Sequence, residues 1–313
     1  MIISASRRTD IPTYYSEWLF NRIKEGYVCV RNPMNIHQIS KISLSPKVVD
    51  GIVFWTKNPL PMISRLDELK EYTYYFQYTI NSYGKDIEKN VPNKNDIIIP
   101  AFKELSRKIG PERVIWRYDP ILLNSQYTIE YHVNYFEEIA KRLSGFTHKC
   151  VISFVDLYRN TKTNANTLSF RQPTHDEMIE LAKRMVDIAK KSNLIIESCA
   201  EKIDLTSFGI SHGHCIDCQL FETLLGCKLN LEKDKNQREE CGCMASIDIG
   251  MYNTCKNGCA YCYATHSENS VLKNSSLHDP LSPLISGQIQ DDDVIKERII
   301  KSCKNCQLNL FDN

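Results

Sequence analysis

Long hydrophobic runs are missing from these 313 residues. No stretch approaches the roughly 18 apolar residues of a membrane-spanning helix, so no membrane association is expected. The start, Met1 to Arg8, has no long apolar segment behind its charges. That argues against a secretory leader and for a cytoplasmic protein. An excess of charge of one sign is missing too: 39 Lys and Arg face 38 Asp and Glu, for a net charge of +1. The electrostatic case for a nucleic-acid coat or a basic membrane-surface protein falls away, although a local basic groove remains compatible. No G-x-G-x-x-G follows a strand-like segment and no Walker motif occurs, so those two modes of nucleotide binding lose support. No internal repeat is evident.

What is present is ordinary enzyme-like composition, 42% hydrophobic and 25% charged, enough for a full core. The first two thirds alternate short apolar strands with amphipathic helices. Strands are expected at Ile2–Ser6, Val48–Trp55, Thr73–Ile80, Val114–Tyr118, Cys150–Val155 and Leu194–Cys199, with a hairpin from Tyr27–Arg31 and Ile42–Leu44. Helices are expected between Pro12 and Gly26, and over Met62–Glu71, Ile98–Ile109, Ile129–Leu143 and Asp176–Lys191. This alternation predicts an α/β fold, a partial (β/α) TIM-like barrel, with a doubly wound open sheet as the alternative. Beyond residue 212 helical periodicity fades, apart from a helix predicted over Asp291–Lys301. The chain therefore divides into a barrel domain, 1–212, and a cysteine-rich metal-cluster region, 213–313, packing on it.

The cysteines are unusual in number and place. There are 13, of which only Cys29, Cys150 and Cys199 precede residue 200. An odd count without a secretion signal argues against a disulfide scaffold and for metal or redox chemistry. The sharpest motif is Cys255-x3-Cys259-x2-Cys262. Three thiolates on one tight loop can hold three irons of a [4Fe–4S] cluster and leave the fourth iron open. Zinc generally takes four ligands, usually as two pairs, and suits this triplet less well. Gly258 frees the backbone where it curls, and Ser246–Met251 reads as a strand entering the loop.

Cys215, Cys218, Cys241 and Cys243 form two further close pairs, and Cys199 can replace any one of them. They point to a second centre, either an auxiliary iron–sulfur cluster or a structural zinc. Cys303 and Cys306 at the tail read first as ordinary thiols, and Cys29, Cys150 and Cys227 as core residues.

Polar residues recur at the predicted strand ends, where (β/α) barrels build their sites. Arg7, Arg8 and Asp10 follow the first strand, and Lys57 and Asn58 follow the second. Arg117 and Asp119, then Asp156, then Glu197 mark later ones. Their mixture suits a polar or anionic group.

Several segments together resemble one family: Ser4-Ala5-Ser6-Arg7-Arg8-Thr9-Asp10, Phe54-Trp55-Thr56-Lys57-Asn58-Pro59, Arg117-Tyr118-Asp119-Pro120, Ile152-Ser153-Phe154-Val155-Asp156, and Arg238 with Cys241 and Cys243 followed by Asp248-Ile249-Gly250-Met251-Tyr252 and the triplet. They look like the bacterial domain-of-unknown-function family 1848, whose members are described as radical-SAM-like for their C-terminal cysteines. That resemblance implies reductive cleavage of S-adenosylmethionine (SAM) at the open iron, a small reductant such as flavodoxin or ferredoxin, and an unknown substrate. In the radical SAM superfamily the triplet follows the first barrel strand, with an aromatic residue, here Tyr261, before the last cysteine. Here only 51 residues follow Cys262. The triplet must therefore return to a barrel built earlier, in a permutation-like arrangement, and no Gly-Gly-Glu-type motif is found.

Two other classes stay open. One is an iron–sulfur electron-transfer protein without SAM, with Cys303 or Cys306 as a fourth ligand. The other is a zinc-binding hydrolase or nucleic-acid-binding protein, in which Arg7, Arg8 and Lys57 meet a phosphate.

Overall fold

The structure is a computed structural model that describes residues 1–305. Eight strands form one sheet: Ile2–Ala5, Gly51–Thr56, Tyr74–Thr79, Val114–Ile121, Lys149–Phe154, Ile195–Ser198, Ser211–His212 and Ile247–Asp248. Every pairing among them is parallel. Each strand lies beside its chain neighbour, except that the eighth joins the open edge of the first, with Ile3 opposite Ile247 and Ser4 opposite Asp248. The order is thus eight, one, two, through to seven. No pairing joins the seventh to the eighth among the described residues, so the sheet is not a closed ring.

Side-chain alternation divides the sheet residues between two cores. Ile3, Phe54, Phe76, Trp116 and Ile152 share one core with the amphipathic helices, including Ile129–Leu143 and His175–Lys191. There Trp116 stacks on Phe136 at 4.9 Å. Ile2, Val53, Tyr75, Ile115 and Val151 face the other way, against Ile216, Phe221, Leu229 and Cys243. The chain between the seventh and eighth strands thus covers the inner face. Gly51 permits this closeness: a Cβ there would lie 2.1 Å from the Phe221 ring.

Expected elements recur with altered ends. Gly26 ends its helix in the left-handed region at φ 76°, and Tyr27–Asn32 pairs antiparallel with Asn35–Ser43. Met62–Glu71 is not one helix but the short turns Leu60–Ile63 and Leu66–Leu69. The sheet portion of Ser246–Met251 is only Ile247–Asp248. Three helices escaped the periodicity argument, Lys162–Thr167, Cys218–Leu225 and Glu268–Ser276. The helix expected over Asp291–Lys301 is wrong. Val294–Glu297 is a strand, parallel to Gln38–Lys41. Its acidic lead-in does not cap a helix, since the Asp293 carboxylate receives the Arg31 guanidinium, with one contact at 2.8 Å. Tertiary pairing has overridden local preference here.

Candidate functional site

The C-terminal ends of the parallel strands converge on the cysteine triplet. Five residues after the first strand, Asp10 is buried and accepts three hydrogen bonds. They come from Thr13 N at 3.0 Å, Lys57 N at 2.8 Å and Asn257 Nδ2 at 3.1 Å. One aspartate thereby ties the first and second strand ends to the triplet loop. Tyr14 OH donates to Asn257 Oδ1 at 2.9 Å, and Asn90 Nδ2 to the Lys256 carbonyl at 2.7 Å. Gly258 sits at φ 64°, where a Cβ would also press on Asn90 and Lys89.

A buried carboxylate organises the other side. Glu88 Oε1 accepts from Lys57 Nζ at 2.7 Å and Tyr261 OH at 2.6 Å, while Oε2 pairs with Lys94 Nζ at 2.8 Å. Burial opposes the charge, but the two lysines pull the Glu88 pKa down to about 2. Asn81 joins this group to the next strand end, donating to Glu88 and to the Asp119 carbonyl and accepting from Asp119 N at 2.7 Å. Glu88, Asn81, Lys94 and Asn257 were not selected from the sequence. Asn81 was the most accessible of them, because it directly follows a strand to which no polar partner had been assigned. Glu88 and Lys94 lie in the aperiodic stretch 80–98, which carries no positional signal.

Within this frame Cys255 and Cys259 are half-buried. Burial, with Asp10 nearby, pushes the Cys255 thiol up to about 12; burial also raises Cys259, opposed by Lys57. The triplet sulfurs do not all fall within 4.8 Å of one another. Cys303 belongs elsewhere: its N–H donates to Asp50, just before the second strand and therefore at the opposite end of the sheet. Cys306 lies outside the described residues.

Arg7 lies over the Trp55 ring at 5.5 Å and donates to Ser246 Oγ at 3.2 Å. Cys243, Asp248, Cys215 and Tyr263 all raise its pKa against the cost of burial. Arg8 lies over Tyr252 at 5.0 Å, near Asp248. Asp248 gathers Ser4 Oγ, Ser6 Oγ, Arg7 N and Gly250 N at 2.6–3.0 Å, which locks the eighth strand to the first. Arg117 donates through Nε to Asp119 at 2.9 Å and through Nη1 to Cys215 Sγ at 2.8 Å.

Asp156 pairs with Arg238 at the edge of a groove of about 510 Å³ that also receives Glu201 and Met178. Burial, with Asp156 and Asp119 nearby, raises Glu201 to about 7. Two expected pocket residues are turned to other work. Asn58 caps its own turn by accepting from Leu60 N at 3.3 Å, and Glu197 pairs with Lys149 at 2.7 Å. Cys199 and Cys215 approach to 3.0 Å, while Cys218 is separate, 3.8 Å from Glu222. Cys29 and Cys150 are buried in the core as expected, and Cys227 is half-buried.

A family model described as a domain of unknown function (DUF1848) matches residues 2–264. The chain belongs to this family. The matched stretch of the DUF1848 protein contains all eight sheet strands, the triplet and the cysteines around Arg117. No curated protein matches it. A solved structure from work on the pneumococcal virulence factor StrH and N-glycan recognition and hydrolysis is 9% identical to the DUF1848 chain. It covers 77% of this chain and 67% of its own, at a TM-score of 0.27. At that level the likeness carries no inference about the DUF1848 fold or activity.

Proposed function

We propose that this DUF1848 protein is an iron–sulfur enzyme of radical SAM type acting on an unknown substrate, on a permuted and incompletely closed (β/α) barrel. The observation that carries the reading is the setting of Cys255, Cys259 and Cys262. Three half-buried thiols sit near the C-terminal ends of a parallel sheet, where such folds place their chemistry. A [4Fe–4S] cluster held by these thiolates would supply a low-potential electron and an open iron for the amino and carboxylate groups of SAM.

The donor set fits that group better than zinc. Zinc generally takes four ligands, usually as two pairs, whereas this loop offers three thiols, one for each of three irons of a cubane. Cys303 lies at the far end of the sheet and does not supply the fourth ligand that a four-cysteine carrier needs. This favours the open cluster over a four-cysteine electron carrier. Asp10 and Asn257 hold the loop, Lys57 lies close enough to offset thiolate charge, and Tyr261 packs against Glu88. Arg7, Arg8, Asp119 and Asp156 are the side chains that would orient the charged and polar parts of SAM or a substrate.

Anaerobically purified protein is expected to be brown, to contain iron and acid-labile sulfide, and to release 5′-deoxyadenosine from SAM on reduction. A reconstituted cluster that yields no 5′-deoxyadenosine would overturn the SAM reading. Colourless, zinc-containing protein without sulfide at the triplet would overturn the cluster.

A further inference from the structure

The triplet loop is paired along one side with the segment 87–90. Ala260 N donates to the Ile87 carbonyl at 2.8 Å, and Asn90 N to the Asn257 carbonyl at 3.0 Å. Glu88 therefore stands directly opposite Cys259, in an antiparallel bridge. Its buried carboxylate meets two ammonium groups, Lys57 Nζ at 2.7 Å and Lys94 Nζ at 2.8 Å. The Tyr261 hydroxyl, from the residue next to Cys262, donates to the same carboxylate at 2.6 Å. Lys57 Nζ also lies 5.6 Å from the centre of the Tyr261 ring. Two cations on one carboxylate leave one positive charge over. Asp119, another carboxylate near Lys57, is held by Arg117. A buried cation without a counter-ion of its own is costly. Against burial, Glu88 and then a Cys259 thiolate hold the Lys57 ammonium charged.

We propose that Lys57 and Glu88 set the reduction potential of the cluster held by Cys255, Cys259 and Cys262, with the surplus lysine charge raising it. This rests on the iron–sulfur reading above, though not on SAM cleavage. Reduction passes one electron from a low-potential donor, which is oxidised, to the cluster. No bond forms or breaks, and the charge at the triplet becomes more negative by one. A nearby cation stabilises the added charge and a nearby carboxylate opposes it. Cluster potentials respond to net charge and to solvent exposure. The Lys57 side chain is only 12% exposed, so water and salt screen it little. Neither residue is a ligand, and each acts through its charge.

A purely structural pair does not call for the second lysine, since one ammonium would complete the pairing of Glu88. Lys57 follows the second strand, and Lys94 starts the helical turn Lys94–Ile98 after the third. Two separate elements thus deliver positive charge to one place. The opposing charge lies at a different cysteine. Asp10 is near Cys255, where Asn257 ties it to the loop. The positive surplus therefore belongs to the Cys259 side.

The test is a redox titration of the full chain with its cluster in place, followed by the electron paramagnetic resonance signal of the reduced form. Lys57→Met removes a positive charge while Lys94 keeps Glu88 paired, and should lower the potential. At the native midpoint its ratio of oxidised to reduced cluster should rise about tenfold, equivalent to about 59 mV for a one-electron couple. Glu88→Gln removes a negative charge and should raise the potential. Opposite shifts mark an effect of charge, because damage to the fold would not change sign between the two variants. A change under about threefold in Lys57→Met, or shifts of the same sign in both variants, overturns the proposal. If either variant holds no cluster, Lys94→Met takes its place. It should lower the potential, and an unchanged or raised value overturns the proposal. Native protein without iron and sulfide overturns the iron–sulfur reading, and the proposal with it. A native cluster whose potential ignores these charges overturns the proposal alone.

Discussion

Glu88 carries the electrostatic balance at the triplet end of the sheet. It is 1% exposed and compensates both Lys57 and Lys94. Breaking a buried pair by removing one partner leaves uncompensated charge, typically a loss of about 3 kcal/mol or more. The variant Glu88→Gln keeps the shape and the Tyr261 contact but removes the charge. Its denaturant midpoint should fall accordingly, and a loss under about 1 kcal/mol would show that the lysines find other partners.

His132 gives a pH-dependent prediction. It is fully buried between Tyr118 OH and the Leu122 carbonyl, each 2.8 Å from a ring nitrogen. Burial holds its pKa at about 4, below the ordinary 6.5. Between those values the unfolded chain binds the proton and the folded chain does not, so stability rises with pH across the window. The contribution is complete above about pH 6.5 and lost as pH falls through 4, on the order of 3 kcal/mol in all. The stability difference between the native chain and His132→Gln should follow this limb, and a flat difference from pH 4 to 7 would refute it.

Among elements, the helix Cys218–Leu225 depends on a missing side chain in the second strand. Phe221 occupies the space that a Gly51 Cβ would need. Phe221→Ala should cost about 3–5 kcal/mol through the cavity it leaves. Gly51→Ala should also destabilise strongly, because its neighbour is a buried ring in a packed core. In the double variant the ring is gone and the second penalty shrinks. Equilibrium unfolding should therefore show a sub-additive pair, whereas simple additivity would mean that the helix had moved away. The Tyr75 hydroxyl reinforces this element, donating to the Cys215 carbonyl at 2.7 Å and accepting from Asp217 N at 3.0 Å.

At the scale of the whole molecule, the two cores are built without the triplet. The outer core joins sheet and helices, and the inner core joins sheet and covering segment, while of the triplet only Cys259 packs against either, at the margin of the outer core. Cys255→Ala, Cys259→Ala and Cys262→Ala together should abolish iron binding and the brown colour yet leave a folded chain. Circular dichroism and iron analysis on one sample check both. Retained iron would place the cluster elsewhere, and an unfolded chain would make the cluster part of the fold.

Local chemistry carried a large part of this outcome. Apolar alternation, helix caps such as Thr174, and turn residues such as Gly26 act over a few positions, so most strands and helices of the first two hundred residues were legible from the chain, Met62–Glu71 and Lys162–Thr167 excepted. The spacing of Cys255, Cys259 and Cys262 was legible for the same reason: one short loop holds all three. Contacts formed across long separations were not. Glu88 meets Lys57, Lys94 and Tyr261 only because successive strands end at one place. Cys199, rather than Cys218, joins Cys215 because the sixth and seventh strands end side by side, while the first turn of a helix turns Cys218 toward Glu222. Val294–Glu297 became a strand because Asn35–Ser43 offered an unpaired edge. Periodicity and motif spacing record forces between near neighbours, whereas charge pairing, thiol grouping and strand addition depend on which distant surfaces the packed sheet brings within reach.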